Sequence, residues 1–284
     1  MKFFIKRNLL VYFRDRAAVF YSLLASLIII GLYALFLGNN MASYMDVMPD
    51  ARILVDRWLI AGLVSITSIT AAMGAFGVMV NDKTKHIIQD FYTSPIRRWK
   101  LIGGYVFAAF IIGTILSVIT LLVAQLYIVA QGGSLMTMLE YAETLAVILL
   151  NAFCNTTMVF FFAYFFTTES AFGTASTLLG TLIGFVTGIY IPIGVLPESV
   201  QWVIKLFPTS HAVVVLRQIM TSSYFTPYKA VLTDAVLTDI KQEMGIVYFF
   251  GDTQAPVYVS LLILAGVGVL FFLLSLLHVK RKQA

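Results

Sequence analysis

The sequence predicts an all-α, polytopic membrane protein with six transmembrane helices. Of its 284 residues 60% are hydrophobic and only 12% are charged, whereas a soluble domain carries about 25% charged residues. The charges are also spaced far apart, with gaps that exceed the ~20 apolar residues a helix needs to cross a bilayer. Six gaps contain no charged side chain: 17–45, 58–81, 101–139, 144–168, 170–197 and 253–279.

We place one span in each gap. The predicted spans lie near 18–38, 58–80, 101–128, 144–167, 171–191 and 256–278. No small-residue cleavage site follows the first apolar run, so we expect a retained span rather than a signal peptide. The single Cys154 falls inside the fourth span, which argues against a disulfide framework or a paired cysteine metal site.

The distribution of Lys and Arg predicts the orientation. The N-terminal arm, the loop after the second span and the C-terminal tail hold 13 of the 19 basic residues with four acids, and the opposite side holds six basic residues against ten acids. Cytoplasmic loops carry the excess of positive charge, so both termini are predicted to be cytoplasmic, in the cell membrane. We treat 1–284 as a single transmembrane domain with a basic arm (1–17), a cytoplasmic segment (82–100) and an extracellular or re-entrant segment (192–255).

The segment after the fifth span is broken by prolines. Pro192 should end the fifth span, because proline lacks the amide donor that a helix interior needs. Beyond Pro197, apolar residues recur at helical spacing to Phe207, and Pro208 begins a second apolar piece. We expect two short re-entrant helices that dip into the outer leaflet without crossing it, followed by an amphipathic run over 231–240 at the outer surface. His211 and Arg217 are expected at the outer interface.

Several kinds of chemistry are missing from the sequence. No G-x-x-x-x-G-K-[ST] phosphate loop occurs, and His86, His211 and His278 are scattered without partner carboxylates at motif spacing. No charge lies in the middle of a predicted span, which argues against an ion-coupled carrier. We therefore expect no catalytic residue, no metal site and no cofactor on this chain, and no nucleic-acid partner.

Polar and small residues inside the spans have two possible roles. Asn151, Asn155 and Gln125 are expected to form interhelical hydrogen bonds, with contact to a substrate as the alternative. Small residues recur every four positions in the fifth span and would let another helix approach closely, either within the subunit or at a subunit–subunit interface. They are Ser176, Gly180, Gly184 and Gly188.

The segment 82–100 is the most informative part of the sequence. A short helix over 82–93 would place Ile87, Ile88, Phe91 and Tyr92 on one face, and Ser94-Pro95 would stop it. Arg97-Arg98-Trp99-Lys100 marks the headgroup level. The helix could simply connect two spans at the interface, or it could dock into a cytoplasmic ATPase.

The order of these features resembles the ABC-2-type exporter permease family over essentially the whole chain. The residues that carry the resemblance are Thr93-Ser94-Pro95-Ile96-Arg97-Arg98 and the stretch from Pro192-Ile193-Gly194-Val195-Leu196-Pro197 through Phe207-Pro208-Thr209-Ser210-His211 to Arg217. This family often begins the helix with a Glu-Arg-Glu-like motif, whereas this chain has Asp82-Lys83-Thr84-Lys85.

The resemblance implies specific partners and sites. Two copies of a cytoplasmic ABC ATPase, carrying ATP and Mg, would drive a pair of permeases (two copies or a paralogue) surrounded by membrane lipids. The ATPase-coupling residues would be Asp82, Lys83, His86, Ile87, Ile88, Phe91, Ser94 and Pro95. Pro192, Pro197 and Pro208 would form the outer gate, and the small-residue stripe would line the dimer interface.

The cargo is the least determined feature. An apolar bundle with few polar groups favours export of an amphipathic small molecule, drug or peptide. The alternatives are a lipid-linked glycan exporter of the same architecture and a non-transport membrane scaffold or sensor. Trp58, Trp99 and Trp202 all fall near predicted interfaces rather than along a path that could bind sugars.

Overall fold

A computed structural model describes residues 1–42, 51–93, 96–228, 232–251 and 253–281. Within these ranges the chain forms an α-helical bundle. Its helices are α1 Lys2–Arg14, α2 Arg16–Leu32, α3 Gly38–Ala42, α4 Ala51–Thr84, α5 Ile87–Thr93, α6 Arg98–Ala130, α7 Met138–Ala163, α8 Glu169–Val186, α9 Glu198–Leu206, α10 Pro208–Tyr228, α11 Asp234–Glu243 and α12 Val257–Arg281. A π-helical turn, Tyr33–Leu37, joins α2 to α3, and a 3-10 turn spans Ile193–Val195.

Helix α4 is the axis of the bundle. Its 34 residues make a rod of about 51 Å, and α2, α6, α7, α8 and α10 all pack against it. Glycine permits close approach of two backbones: a Cβ on Gly113 of α6 would lie 3.3 Å from the carbonyl oxygen of Ser68 in α4. Most of α4 is buried, including Trp58, Leu63 and Phe76, so its near-continuous apolar sequence reflects burial on all sides.

The all-α, multi-pass membrane fold predicted from the sequence is confirmed. In the described part of the chain α4, α6, α7 and α12 are long and apolar enough to cross a membrane, and the bent pair α9–α10 would make a fifth candidate. The predicted first and fifth spans correspond to α2 and α8. Of these, α8 has only 18 residues and is rich in Ser, Thr and Gly. The count of six crossings stays a prediction.

The segment after α8 is broken as expected, but its pieces differ in length. Helices α9 and α10 meet at an angle of 93°. Proline marks the start of both helices: Pro197 directly precedes α9, and Pro208 is the first residue of α10, where its missing N–H is not needed. A further proline, Pro227, lies in the last turn of α10. The expectation of two short pieces is wrong for α10, whose 21 residues extend about 32 Å.

The rest of this segment forms α11 and a small hairpin. The amphipathic run falls in α11, with Leu237 buried, while Val231 lies outside the described residues. Two-residue strands β1 (Phe249–Phe250) and β2 (Thr253–Gln254) pair antiparallel, with Phe249 opposite Gln254. The sequence pattern did not indicate this hairpin.

The fifth-span helix ends earlier than predicted. Helix α8 stops at Val186, six residues before Pro192, because Gly188 adopts a left-handed conformation with φ +65°. The Gly188 amide donates to Phe185 O (3.0 Å), and the Ile189 amide donates to Gly184 O (2.9 Å). This is the Schellman pattern, in which a glycine just past the helix satisfies its last carbonyls.

Candidate transport groove and coupling site

A lateral groove of about 690 Å³ runs between α2, α4 and α8. Its volume falls in the range typical of sites for drug-sized ligands. Small and hydroxyl-bearing residues form much of its wall, and Glu169 lies at one end. The lining residues are Ser22, Ile69, Thr70, Met73, Gly74, Gly77, Glu169, Phe172, Gly173, Ser176, Thr177, Leu179, Gly180, Thr181 and Ile183.

The predicted small-residue stripe divides into two parts. Ser176 and Gly180 line the groove, and a Cβ added to Gly180 would meet nothing within 4 Å. Gly184 and Gly188 are buried instead. A Cβ on Gly184 would overlap the Tyr190 ring at 2.3 Å, and Gly188 is the residue that ends the helix. Only the first half of the stripe therefore presents an open surface.

The buried amides Asn151 and Asn155 join three helices. Asn151 Nδ2 donates to Ser68 Oγ (2.9 Å) and Ser65 O (2.9 Å) of α4, while Asn155 Nδ2 donates to Ser68 Oγ (2.6 Å) and Asn151 Oδ1 (3.0 Å). The Thr209 hydroxyl of α10 donates to Asn155 Oδ1 (2.7 Å). These contacts are interhelical hydrogen bonds, and neither asparagine lines the groove.

Gln125 is buried apart from this network. Its Oε1 has no hydrogen-bond partner among the described residues, and its side chain is 3% exposed. It does not line the groove either. Of the three amides predicted as a possible substrate path, none faces the lateral groove.

The predicted coupling segment is two helices rather than one. Helix α4 continues to Thr84, and α5 begins only at Ile87. Between them His86 takes a left-handed conformation with φ +60°, and its Nδ1 lies 3.2 Å from Gln89 Nε2. A helix over 82–93 is therefore wrong, because the chain turns at Lys85–His86.

The apolar face of α5 packs on the bundle. The Phe91 ring meets the Phe4 ring edge-on at 5.2 Å, and Ile88 and Phe91 pack against the core beside Tyr105. Gln89, Asp90 and Thr93 lie on the exposed face. Ser94 and Pro95 lie outside the described residues.

Asp82 and Lys83 make internal contacts. The Asp82 carboxylate is buried, forms an ion pair with Arg7 of α1 and accepts a hydrogen bond from Tyr105 (2.5 Å). That hydrogen-bonded contact raises the pKa of Arg7, so its guanidinium stays charged at physiological pH. Lys83 Nζ donates to Tyr164 O (2.9 Å) at the end of α7. Both predicted coupling residues thus hold helices together at one end of the bundle. We call this end, which carries α1 and the α4–α5 turn, the basic end.

At the other end of α4 a buried cation, Arg217, binds the turns that follow α8 and α11. Its guanidinium donates to the carbonyls of Gly188 (2.8 Å), Met244 (3.2 Å) and Gly245 (3.3 Å), and stacks 4.1 Å from the Trp58 ring. Trp58 Nε1 also donates to Met244 O (2.5 Å). We use the name arginine cluster for Arg217, Trp58, Gly188, Met244 and Gly245.

Two helix C-termini converge on the arginine cluster. Gly188 follows α8, and Gly245, with φ +62°, follows α11 in a second Schellman pattern. Helix C-termini carry partial negative charge, so they suit a buried cation that has no carboxylate partner within the described ranges.

Arg217 and His211, expected at the outer interface, are buried within the bundle, and each is only 1% exposed. His211 instead hydrogen-bonds Ser260 Oγ and Lys205 O. Sequence reasoning missed the arginine cluster because its partners are backbone carbonyls, which leave no residue-type signature. The nearest signal was the pair of glycines after the apolar ends of α8 and α11.

No group of three or more His, Cys, Asp or Glu side chains that could hold a metal ion occurs in the described ranges. Cys154 is free and buried.

Comparison with known proteins agrees with the architecture. The family model described as ABC-2 family transporter protein matches residues 39–277, which is most of the chain. No curated protein matches the sequence. The match begins just after the first predicted span and includes the α4 and α8 walls of the groove, the α4–α5 turn and the arginine cluster. The chain therefore belongs to the ABC-2 transporter family and is a transmembrane permease of the ABC type.

Proposed function

We propose that this permease exports an amphipathic small molecule, drug or peptide through the groove between α2, α4 and α8, using ATP hydrolysed by a separate subunit. The observation that carries the proposal is the groove itself, which is mainly apolar and open along α8. Hydroxyls of Thr70, Ser176 and Thr177 interrupt the apolar wall, as an amphipathic cargo requires.

The proposed orientation places the basic end of the bundle in the cytoplasm. Of the six basic residues on the opposite side, at least four have internal partners, and one of these is Lys205, whose Nζ donates to Phe249 O (2.9 Å). Arg52 pairs with Asp56, Arg57 donates to Ser134 O (3.1 Å) and Met220 O (3.0 Å), and Arg217 belongs to the arginine cluster. The surface of that side is thus even less basic than the residue count suggests, which favours six crossings with cytoplasmic termini.

A second permease would pack on the face of α8 that turns away from the groove. Helix α8 packs on α4 and, less extensively, on α9, and its Leu178, Leu182 and Phe185 side chains are 51–59% exposed. We infer that this face of α8 meets a second permease, either an identical copy or a paralogue. The prolines at 192, 197 and 208, which position the helices beyond α8, would form the outer gate.

The ATPase would dock on the exposed face of α5, since the apolar face is occupied. Gln89, Asp90 and Thr93 are exposed there, next to His86 in the turn. Movement of α5 would pass directly into α4, because only the Lys85–His86 turn separates them. An ATP-driven change must act through contacts that differ between two states, and this junction offers such contacts.

The coupling proposal is tested by purifying the tagged permease in mild detergent with the nucleotide-binding protein that accompanies it. Asp90→Arg should reduce the co-purified ATPase at least several-fold while leaving the thermal midpoint of the permease unchanged. Phe91→Asp is the matched comparison and should lower the thermal midpoint, because it disrupts packing on Phe4. If Asp90→Arg retains the ATPase fully, the exposed face of α5 is not the docking site.

The transport proposal is tested separately on the intact complex. Gly180→Trp would fill the groove at a position with open space, so it should abolish cargo-stimulated ATP turnover without loss of folding. Gly266→Trp, on a part of α12 with equally open space, is the control. Unchanged cargo stimulation in Gly180→Trp would contradict transport through the groove. An ATPase that no amphiphile stimulates, but that a lipid-linked glycan does, would favour the glycan exporter instead.

A further inference from the structure

A second apolar cavity, which shares no lining residue with the groove, lies at the basic end of the bundle. It has a volume of about 230 Å³ and is formed by the start of α6, the end of α7 and the end of α12, with Met1 beside it. We call it the chain slot. Its main walls are Trp99, Gly103, Phe107, Phe160, Phe272 and Leu276.

The shape of the chain slot suits a single hydrocarbon chain. Its volume is below the ~300–1,000 Å³ of sites for drug-sized ligands. The only polar side chains in its lining are the indole of Trp99 and the hydroxyls of Thr157 and Ser275. Thr157 is satisfied by the carbonyls of Phe153 and Cys154, whereas the Ser275 hydroxyl has no partner in the described chain. Phe107, Phe272 and Leu276 are 42–51% exposed, so the slot opens toward the surrounding lipid.

Basic residues border the slot. Lys100 Nζ lies 5.6 Å from the centre of the Trp99 ring, which lines the slot. Arg97 is exposed at the start of α6, and exposed Lys2 adjoins Met1. No acidic residue lines the slot. A molecule with one apolar chain and a negative headgroup would therefore satisfy both the slot and its border.

We propose that the chain slot binds one acyl chain of an anionic phospholipid, with the phosphate held by Lys100, Arg97 and Lys2. Trp99 marks the boundary between chain and headgroup, as interfacial tryptophans do. The bound lipid would pack the start of α6 against the end of α12, two helix ends that few other contacts hold together. The site is independent of the cargo groove and of the ATPase.

The test measures lipid retained by the full-length purified permease after exchange into mixed micelles of phosphatidylglycerol and phosphatidylcholine. Native mass spectrometry counts the bound lipid. The wild type should hold one phosphatidylglycerol with a preference of roughly tenfold or more over phosphatidylcholine, since each basic residue near a headgroup adds to the preference. Equal retention of the two lipids would overturn the proposal.

Two further variants test the apolar slot and its basic border separately. Gly103→Phe fills the slot and should fold, because its Cβ would meet only the flexible end of Met1 at 3.5 Å. It should lower bound phosphatidylglycerol roughly tenfold or more, whereas Gly266→Phe, on the open face of α12, should retain it. Arg97→Gln/Lys100→Gln should keep a bound lipid but lose the preference for phosphatidylglycerol. Wild-type binding by Gly103→Phe, or equal loss in Gly266→Phe, would show that the slot is not the site.

Discussion

The two ends of α4 stabilise buried charge in different ways. At the basic end the Asp82 carboxylate pairs with a cation, Arg7, whose side chain is 31% exposed. At the far end the Arg217 cation has no carboxylate partner among the described residues; neutral carbonyls and an aromatic ring hold it, and its side chain is buried. The first arrangement can be opened by water or by a partner protein. The second cannot be opened without leaving a charge unsolvated, so it fixes the outer segment in place.

The largest expected effect is at the far end. Arg217→Met should lower the free energy of unfolding by about 3–5 kcal/mol, because the carbonyls of Gly188 and Gly245 lose their donor and Trp58 loses its cation. Thermal unfolding and detergent-resistant yield measure the change. Arg217→Lys keeps the charge but not the planar fork and should fall in between. A wild-type midpoint in Arg217→Met would mean that the cluster contributes nothing to stability.

Substitutions of the buried amides between the two ends should have intermediate effects on the free energy of unfolding. The effects of the two substitutions should differ in sign. Asn155→Leu removes bonds to Ser68, Asn151 and Thr209 and should destabilise by about 1–2 kcal/mol. Gln125→Leu should be neutral or stabilising, because it removes a buried oxygen that has no partner. Both are read from thermal midpoints in the same detergent. Equal losses in the two variants would contradict the assigned network.

The glycines of α8 should also respond with opposite signs. Gly188→Ala forces a side chain into the left-handed region and should cost about 1–2 kcal/mol. Gly180→Ala adds a methyl group to an open helix position and should gain about 0.5–1 kcal/mol. Chemical denaturation of both variants tests whether the stripe is one feature or two. Destabilisation by both would restore the view of a single packing stripe.

The smallest effect should come from the basic end. Arg7→Gln leaves Asp82 with Tyr105 as its remaining partner, and we expect a loss of about 1 kcal/mol that shrinks as salt is raised. The loss in Arg217→Met should not depend on salt, since its partners are uncharged. Thermal midpoints at low and high salt compare the two. A salt-independent loss in Arg7→Gln would remove the distinction between the ends.

The sequence predicts the structure well where a single residue type, such as a charge or a proline, determines where a helix can begin or end. Long charge-free gaps predicted the spanning helices, and prolines predicted the starts of α9 and α10. The end of α8 was misplaced because Gly188, in a left-handed turn, ends the helix before Pro192. The apolar stripe of α5 is a similar case: its pattern fits either a connecting helix or a docking surface, and Phe4 of the N-terminal helix packs on its Phe91. Helical periodicity shows which face of α5 is apolar. It does not show whether that face packs inside the protein or against a partner.

The unbroken length of α4 has a mechanical consequence. A helix of about 51 Å without an internal proline acts as a stiff lever, with one end beside α5 and the other under Arg217. If the basic end serves as the pivot, a tilt of only 5° displaces the far end of α4 by about 4 Å. The residues of the arginine cluster would move with it. Modest rotation at one membrane face can thus become a displacement of nearly a helical turn at the other, with no hinge in between to absorb it.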